Sequence, residues 1–192
     1  AAYLPRLVEN ETIEKRTAFN RSQKLNYYEI SDNLIRFWYR FIFDRQEEIA
    51  LGLGDVLFDE CKAEIDDFIA HGFEDVAISF LTEQNGKGLL PYYYAPIRNY
   101  KVDNSKLGRS IELDGLAEGL GKNSNCLLVV ECKYRKTPFS VAMLEQLKES
   151  VSIFGGYTTI DYYLFSKSGF TPEIMKLSDS SLHFISLDSM FS

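Results

Sequence analysis

Histidine is almost missing from this chain. His71 and His183 are its only two, and they lie far apart, which argues against a histidine-built metal site. Cysteine is scarce too: Cys61, Cys126 and Cys132 are odd in number and lack metal-ligand spacing. They fit reduced, partly buried thiols of a cytosolic protein rather than a disulfide framework or a zinc site. No run reaches the roughly eighteen uninterrupted apolar residues of a membrane helix, so no span is expected. The opening AAYLPRLVEN has neither the basic head nor the apolar run of a secretory signal. Positive charge is in deficit, 21 Lys and Arg against 28 Asp and Glu, and the net −7 speaks against indiscriminate nucleic-acid binding. A nucleotide fingerprint is also lacking: GLGKNS faintly echoes a phosphate loop without its G-x-x-x-x-G-K-S/T spacing. There are no internal repeats and no low-complexity tracts. The first residue is Ala rather than Met and the opening reads as the middle of an element, so the sequence is expected to be a piece of a longer protein.

What is present suits a packed protein. The 192 residues are 45% hydrophobic and 14% aromatic, enough for one domain or one and a part. Tyr3, Leu4 and Leu7 sit at helical spacing, and TIEKRTAF and KLNYYEIS then read as strands around the polar turn NRSQ. A helix followed by a basic hairpin is how a winged-helix domain ends. Its wing would carry Lys15, Arg16, Arg21 and Lys24, placed either to touch phosphates or simply to be solvated. Ser31-Asp32 is a helix-capping signal before NLIRFWYRFIFDRQEEIAL, a helix apolar on nearly every side that needs two covering partners. Trp38 there reads as packing, and Arg36 and Arg40 oppose a bilayer. Leu51-Gly52-Leu53-Gly54 ends it. Phe58, Cys61, Ile65, Phe68 and Ile69 mark an amphipathic helix, His71-Gly72 a break, and Phe73, Val76, Ala77, Phe80 and Leu81 another helix. An edge strand is expected around residues 96–102, since Pro91 and Pro96 confine pairing. A hairpin follows, then a helix after Thr137-Pro138, a strand in TIDYYLFSKS, a short helix in TPEIMKLS and a last strand in LHFISL. The division is residues 1–53, the end of a winged helix with a linker helix, and 54–192, an α/β (α+β) domain with a mixed sheet flanked by helices.

The hairpin is where chemistry gathers. Ile111-Glu112-Leu113-Asp114 alternates apolar and acidic, the period of a half-buried strand, and Leu127-Leu128-Val129-Val130 is the apolar run of a central one. Sixteen residues separate Asp114 from Glu131-Cys132-Lys133. Alternation puts Glu131 and Lys133 on one face and Glu112 with Asp114 on one face of the neighbouring strand. If those faces coincide, Asp114, Glu131 and Lys133 converge. Two carboxylates about 4 Å apart repel by roughly 4 kcal/mol at an effective dielectric near 20, so such a cluster calls for compensation. Mg²⁺ or Mn²⁺, hard ions that favour carboxylate and carbonyl oxygens, would supply it, with the Cys132 carbonyl as a further candidate ligand. A bound metal lowers the pKa of a water, and Lys133 is placed to orient that water or steady charge on phosphorus. The bland alternative is a solvated ion pair between Glu131 and Lys133 at a strand end. Residues 97–136 hold eight bases against five acids, whereas 54–96 hold nine acids against Lys62 and Lys87, so the basic segment carries the candidate site.

Asp, a gap, then Glu-x-Lys on adjacent strands resembles the PD-(D/E)xK nuclease superfamily. The resemblance implies a restriction-endonuclease-like core with Asp114, Glu131 and Lys133 as catalytic residues. It adds Glu74 from an early helix as catalytic and metal-binding, and Gln146 from the following helix as accessory; Glu112 is a further accessory candidate. A second resemblance covers nearly the whole chain: YYEISDNLIRFWYRFIF, HGFE, LGR, ELD and ECKY look like the C-terminal region of archaeal and bacterial P-loop ATPases. In those proteins the ATPase module is followed by a winged helix and a PD-(D/E)xK-like domain of unknown function. Arg109-Ser110-Ile111 departs from that pattern, where an aromatic is expected. Two functions are open. One is a divalent-metal-dependent DNA phosphodiesterase; the other is a catalytically silent module that binds nucleic acid or its own ATPase module. Arg16, Arg21, Lys24, Arg109 and Arg135 are the candidate nucleic-acid contacts. No nucleotide site is expected in the chain itself, and a cytoplasmic location is.

Overall fold

The computed structural model describes residues 3–19, 25–104 and 109–191. It resolves into two compact units: Ala1–Thr17 with Lys24–Gly72, and Ala18–Gln23 with Phe73–Ser192. The first begins with α1 (Tyr3–Glu9) and a two-stranded sheet of β1 (Ile13–Ala18) and β2 (Leu25–Ile30). The turn NRSQ lies outside the described residues. Asp32 caps the next helix, accepting from the Leu34 and Ile35 amides at 2.7 and 3.0 Å. The single helix expected over residues 33–51 is a chain of segments instead. It runs as α2 (Asn33–Phe37), a π turn (Trp38–Ile42), a 3-10 turn (Phe43–Arg45) and α3 (Gln46–Ala50). Consecutive aromatic and β-branched side chains crowd their own preceding turn, which disfavours a regular spiral. Nor is the segment covered on both sides: Leu34, Trp38, Tyr39 and Phe43 are exposed, while Phe37 and Phe41 pack on Phe68 at 5.8 Å between centroids. Gly52, at φ +82°, supplies the left-handed residue that ends it.

The break expected at His71-Gly72 is absent. Helix α4 runs unbroken over Gly54–Gly86. One interior glycine costs about 1 kcal/mol relative to alanine, too little to end a helix whose next turns bury Phe73, Ala77 and Leu81. The compact units divide at Gly72–Phe73, inside α4. Among the described residues no helix is long and apolar enough to cross a membrane.

The second unit is built on a five-stranded sheet in the order β3-β4-β5-β6-β7. Strands β3 (Arg98–Asn104), β4 (Arg109–Glu118) and β5 (Cys126–Lys133) pair antiparallel. Strands β6 (Thr159–Ser166) and β7 (Leu182–Ser186) join β5 in parallel, making the sheet mixed. Leu127, Leu128, Val129 and Val130 are fully buried, as a central strand covered on both faces requires. Odd residues of β5 pack with Leu144, Leu147 and Val151 of α5 (Val141–Val151) and with Ile174 of α6 (Pro172–Met175). Even residues pack with Phe73, Ala77 and Leu81 of α4. The fold is thus α+β, a mixed sheet flanked by helices.

Candidate active site

The strand carrying Asp114 is irregular where it matters. Gly115 lies opposite Val130 on β5, but on the β3 side Arg98 faces Leu116 whereas Tyr100 faces Leu113. Two steps on β3 span three on β4, so β4 holds one extra residue between Leu113 and Leu116. Such a bulge re-aims side chains. Ile111, Leu113 and Leu116 all belong to the core on the α5 face. Glu112 is exposed and its carboxylate binds Lys101 Nζ at 3.0 Å, whereas Asp114 Oδ2 accepts from the Cys132 amide at 2.6 Å. Glu112 and Asp114 thus have different partners, although alternation holds from Ile111 to Leu113 and the extra residue falls after it. Gly115 makes the bulge possible, because a Cβ there would stand 2.7 Å from Ile97 Cγ2 and 2.9 Å from Val130 Cγ2. Both methyls sit on stiff β-branched side chains. Gly115→Ala is expected to cost about 1–3 kcal/mol by overpacking, read by urea denaturation.

Strand β5 supplies the other half. Glu131 and Lys133 share a face and bind each other, with side chains only 13% and 19% exposed. Burial and the neighbouring charges of Glu131 and Glu74 push the Asp114 carboxyl well up, against the Cys132 amide and Lys133. Burial also raises Glu131, while Lys133 pulls it back, Glu74 adds repulsion and Arg135 relieves it. The Cys132 thiol is driven well up by burial and by the same three carboxylates, so it stays protonated and unreactive. Glu74, two residues past Gly72 on α4, is thus felt at Asp114, Glu131 and Cys132 alike. Asp114 thus feels the charges of Glu131, Glu74 and Lys133, and Glu131 those of Lys133 and Glu74. Among the described residues no group of three or more His, Cys, Asp or Glu side chains is arranged to hold a metal ion. Asp114 and Glu131, whose charge is felt at Asp114, are the two carboxylates that a divalent ion would need, since Mg²⁺ takes one or two from a protein.

A cavity of about 260 Å³ opens beside Glu131 and Lys133, between the sheet and α5. Arg135 and Gln146 line it, as do Met143 and Ser150. Arg135 and Gln146 are exposed. Arg16 is held by Glu14 at 2.6 Å and Glu29 at 3.0 Å within its own hairpin. Arg21, Lys24 and the side chain of Arg109 lie outside the described residues. Ser166 escaped the sequence reading. It is the register partner of Lys133 on β6, fully buried, and its hydroxyl has no hydrogen-bond partner. A buried unsatisfied hydroxyl costs about 1–3 kcal/mol. Ser166→Ala is expected to leave thermal stability unchanged or to raise it by about 1 kcal/mol, measured by calorimetry.

A second polar cluster was also missed. Tyr94 donates to Asp161 Oδ2 at 2.7 Å, His183 Nε2 stands 3.5 Å from Asp161 Oδ1, and Tyr163 stacks on His183 at 4.2 Å. Burial and Asp161 raise the pKa of both tyrosines. The one signal in the sequence was a lone acid inside the apolar strand TIDYYLFS.

The fold and the charged cluster define an α+β protein with a carboxylate-lysine centre at a sheet end. The chain belongs to the DUF234 family, archaeal and bacterial proteins of unknown function, whose pattern it matches over residues 38–149. It is 35% identical over 136 residues to an uncharacterized protein of Methanocaldococcus jannaschii. That match covers 69% of this chain and only 28% of the relative, so the chain spans little more than a quarter of that protein's length. No solved structure matches the chain.

Proposed function

We propose that this chain carries a divalent-metal-dependent DNA phosphodiesterase site on a PD-(D/E)xK-like core, as the nuclease-like part of a larger, cytoplasmic ATPase. The observation that carries it is the half-buried Asp114 and Glu131, both carboxyls raised, with Lys133 bound to Glu131 and Glu74 adding a third negative charge. Carboxylates held against their own repulsion mark functional sites more often than surface ones. Asp114 and Glu131 would hold Mg²⁺ or Mn²⁺, with Glu74 joining through water. When bound, the ion supplies Lewis-acid stabilisation and an ionised water. Lys133 balances Glu131 until substrate arrives and then offers its ammonium to the attacking water or to charge developing on phosphate. The Cys132 amide fixes one Asp114 oxygen and leaves the other for a ligand. A bound cation would offset the burial and repulsion that push both carboxyls up.

A second reading has its own observation. Tyr3, Leu34 and Leu51 are each at least 75% exposed, and Arg16 is occupied by carboxylates, which suits a winged-helix remnant that meets protein, such as an ATPase module, rather than DNA. One experiment separates the two. The purified chain is incubated with supercoiled plasmid and linear DNA in Mn²⁺ or in EDTA, and Mn²⁺ binding is followed by calorimetry. Metal binding with cutting that EDTA stops is the expected result. Metal binding without cutting favours the silent module, and no metal binding overturns the phosphodiesterase.

A further inference from the structure

The cavity beside the carboxylates has a composition that the proposed chemistry does not use. Its lining carries Glu112 and Glu131 with Lys133 and Arg135, and the charge of Arg135 is felt at Glu131. Glu131 is bound to Lys133 and Glu112 to Lys101, which leaves Arg135, with no ion pair among the described residues, facing the opening. Gln146, on α5, adds an exposed amide with two donors and an acceptor. Met143, Leu113 and Leu147 add soft apolar lining. At about 260 Å³ the space falls just under the ~300–1,000 Å³ of drug-sized ligand pockets, too small for a duplex or a helix. Asp114 is not among its lining residues, so an occupant would sit beside the scissile bond, not on it.

We infer that this cavity receives one nucleotide flanking the scissile phosphate, unstacked from its strand, with its phosphate on Arg135 and its base against Met143 and Gln146. This rests on the phosphodiesterase reading and narrows it. A base inside a duplex cannot enter, whereas a base in a single strand or frayed end enters at little cost, since flipping out of a stack costs a few kcal/mol. Single-stranded or frayed DNA is then the substrate class. Guanidinium recognises phosphate in a bidentate manner, and a side-chain amide reads a base edge.

The test has two arms. In EDTA, where no metal contributes, binding of a deoxynucleoside monophosphate is followed by NMR for wild type, Arg135→Gln and Met143→Trp, with inorganic phosphate and the unphosphorylated nucleoside as controls. Wild type is expected to prefer the monophosphate to either control, and each variant to weaken it about fivefold or more. Arg135 is on the surface, so its substitution leaves the fold intact, and circular dichroism checks Met143→Trp. In Mn²⁺, a single strand is expected to be cut about tenfold faster than the blunt duplex of the same sequence, given the cost of unstacking. Nucleotide binding no tighter than phosphate binding, or binding indifferent to both variants, overturns the pocket even if cutting is robust. Equal cutting of single strand and duplex overturns the substrate class. Nucleotide binding lost in both variants without any cutting upholds the pocket and sinks the phosphodiesterase.

Discussion

Asp114→Asn is expected to make the metal-free protein more stable at pH 8 while abolishing metal-dependent cutting. The two effects share one cause. Burial and the charges of Glu131 and Glu74 lift the Asp114 carboxyl well above its ordinary 3.8. Between that value and the raised one, the folded protein holds a proton that the unfolded chain has released. The folded state then binds more protons, and stability falls as pH rises across that window. Above the folded pKa the penalty is complete, about 1.4 kcal/mol for each unit of upward displacement. Asn has the shape of Asp and its carbonyl accepts the same bond from the Cys132 amide, but it never ionises. Urea denaturation in EDTA at pH 5 and pH 8 reads the difference. Wild type should lose stability between the two, and the variant should lose less, retaining only the part owed to Glu131, whose carboxyl is also raised from 4.5. Mn²⁺ at a hundredfold its dissociation constant should return about 2.7 kcal/mol to wild type at pH 8 and much less to the variant. A variant less stable than wild type at pH 8, or matching it in pH dependence, would show that the Asp114 charge is not held under strain.

How much of this was legible follows from which forces are local. The apolar run Leu127–Val130 had to be a central strand, and Glu131 and Lys133 two apart had to share its face; period and burial decide that without any partner. The helix face of α5 was equally plain, and Met143, Gln146 and Ser150, three and four apart on it, were available as a cavity wall. The bulge was not. Ile111-Glu112-Leu113-Asp114 alternates without fault, and the extra residue exists only in the pairing with β3, a contact between distant segments. Gly115 was its one trace, a residue with no side chain inside a strand. The continuity of α4 was misread for a related reason. Gly72 is locally weak for a helix, but the burial of Phe73, Ala77 and Leu81 against the sheet outweighs it, and that burial is tertiary. Tyr94, Asp161 and His183 meet from three separate segments, so no spacing announces them.

Lys133→Met tests whether Glu131 and Lys133 are a buried pair or a solvated one. Their side chains are 13% and 19% exposed, and removing one partner of a buried pair leaves an uncompensated charge that costs about 3–5 kcal/mol. A surface pair would cost about 1 kcal/mol or less. The pH dependence separates them further. Lys133 is what draws the Glu131 carboxyl down against its burial. Without it the carboxyl rises further and escapes the cost by taking a proton, so the loss should be largest at pH 8 and shrink toward pH 5. Glu131→Gln alone leaves the ammonium with Asp114 and Glu74 still near, and so should cost less than Lys133→Met. The double variant carries neither charge and should recover most of the stability, since a buried pair replaced on both sides is often neutral. The coupling energy from that cycle then measures the pair itself. Denaturation curves for the four proteins at both pH values supply every term. A loss near 1 kcal/mol that ignores pH would return the two residues to an ordinary strand-end ion pair, and with it the case for a carboxylate site would lose its cation.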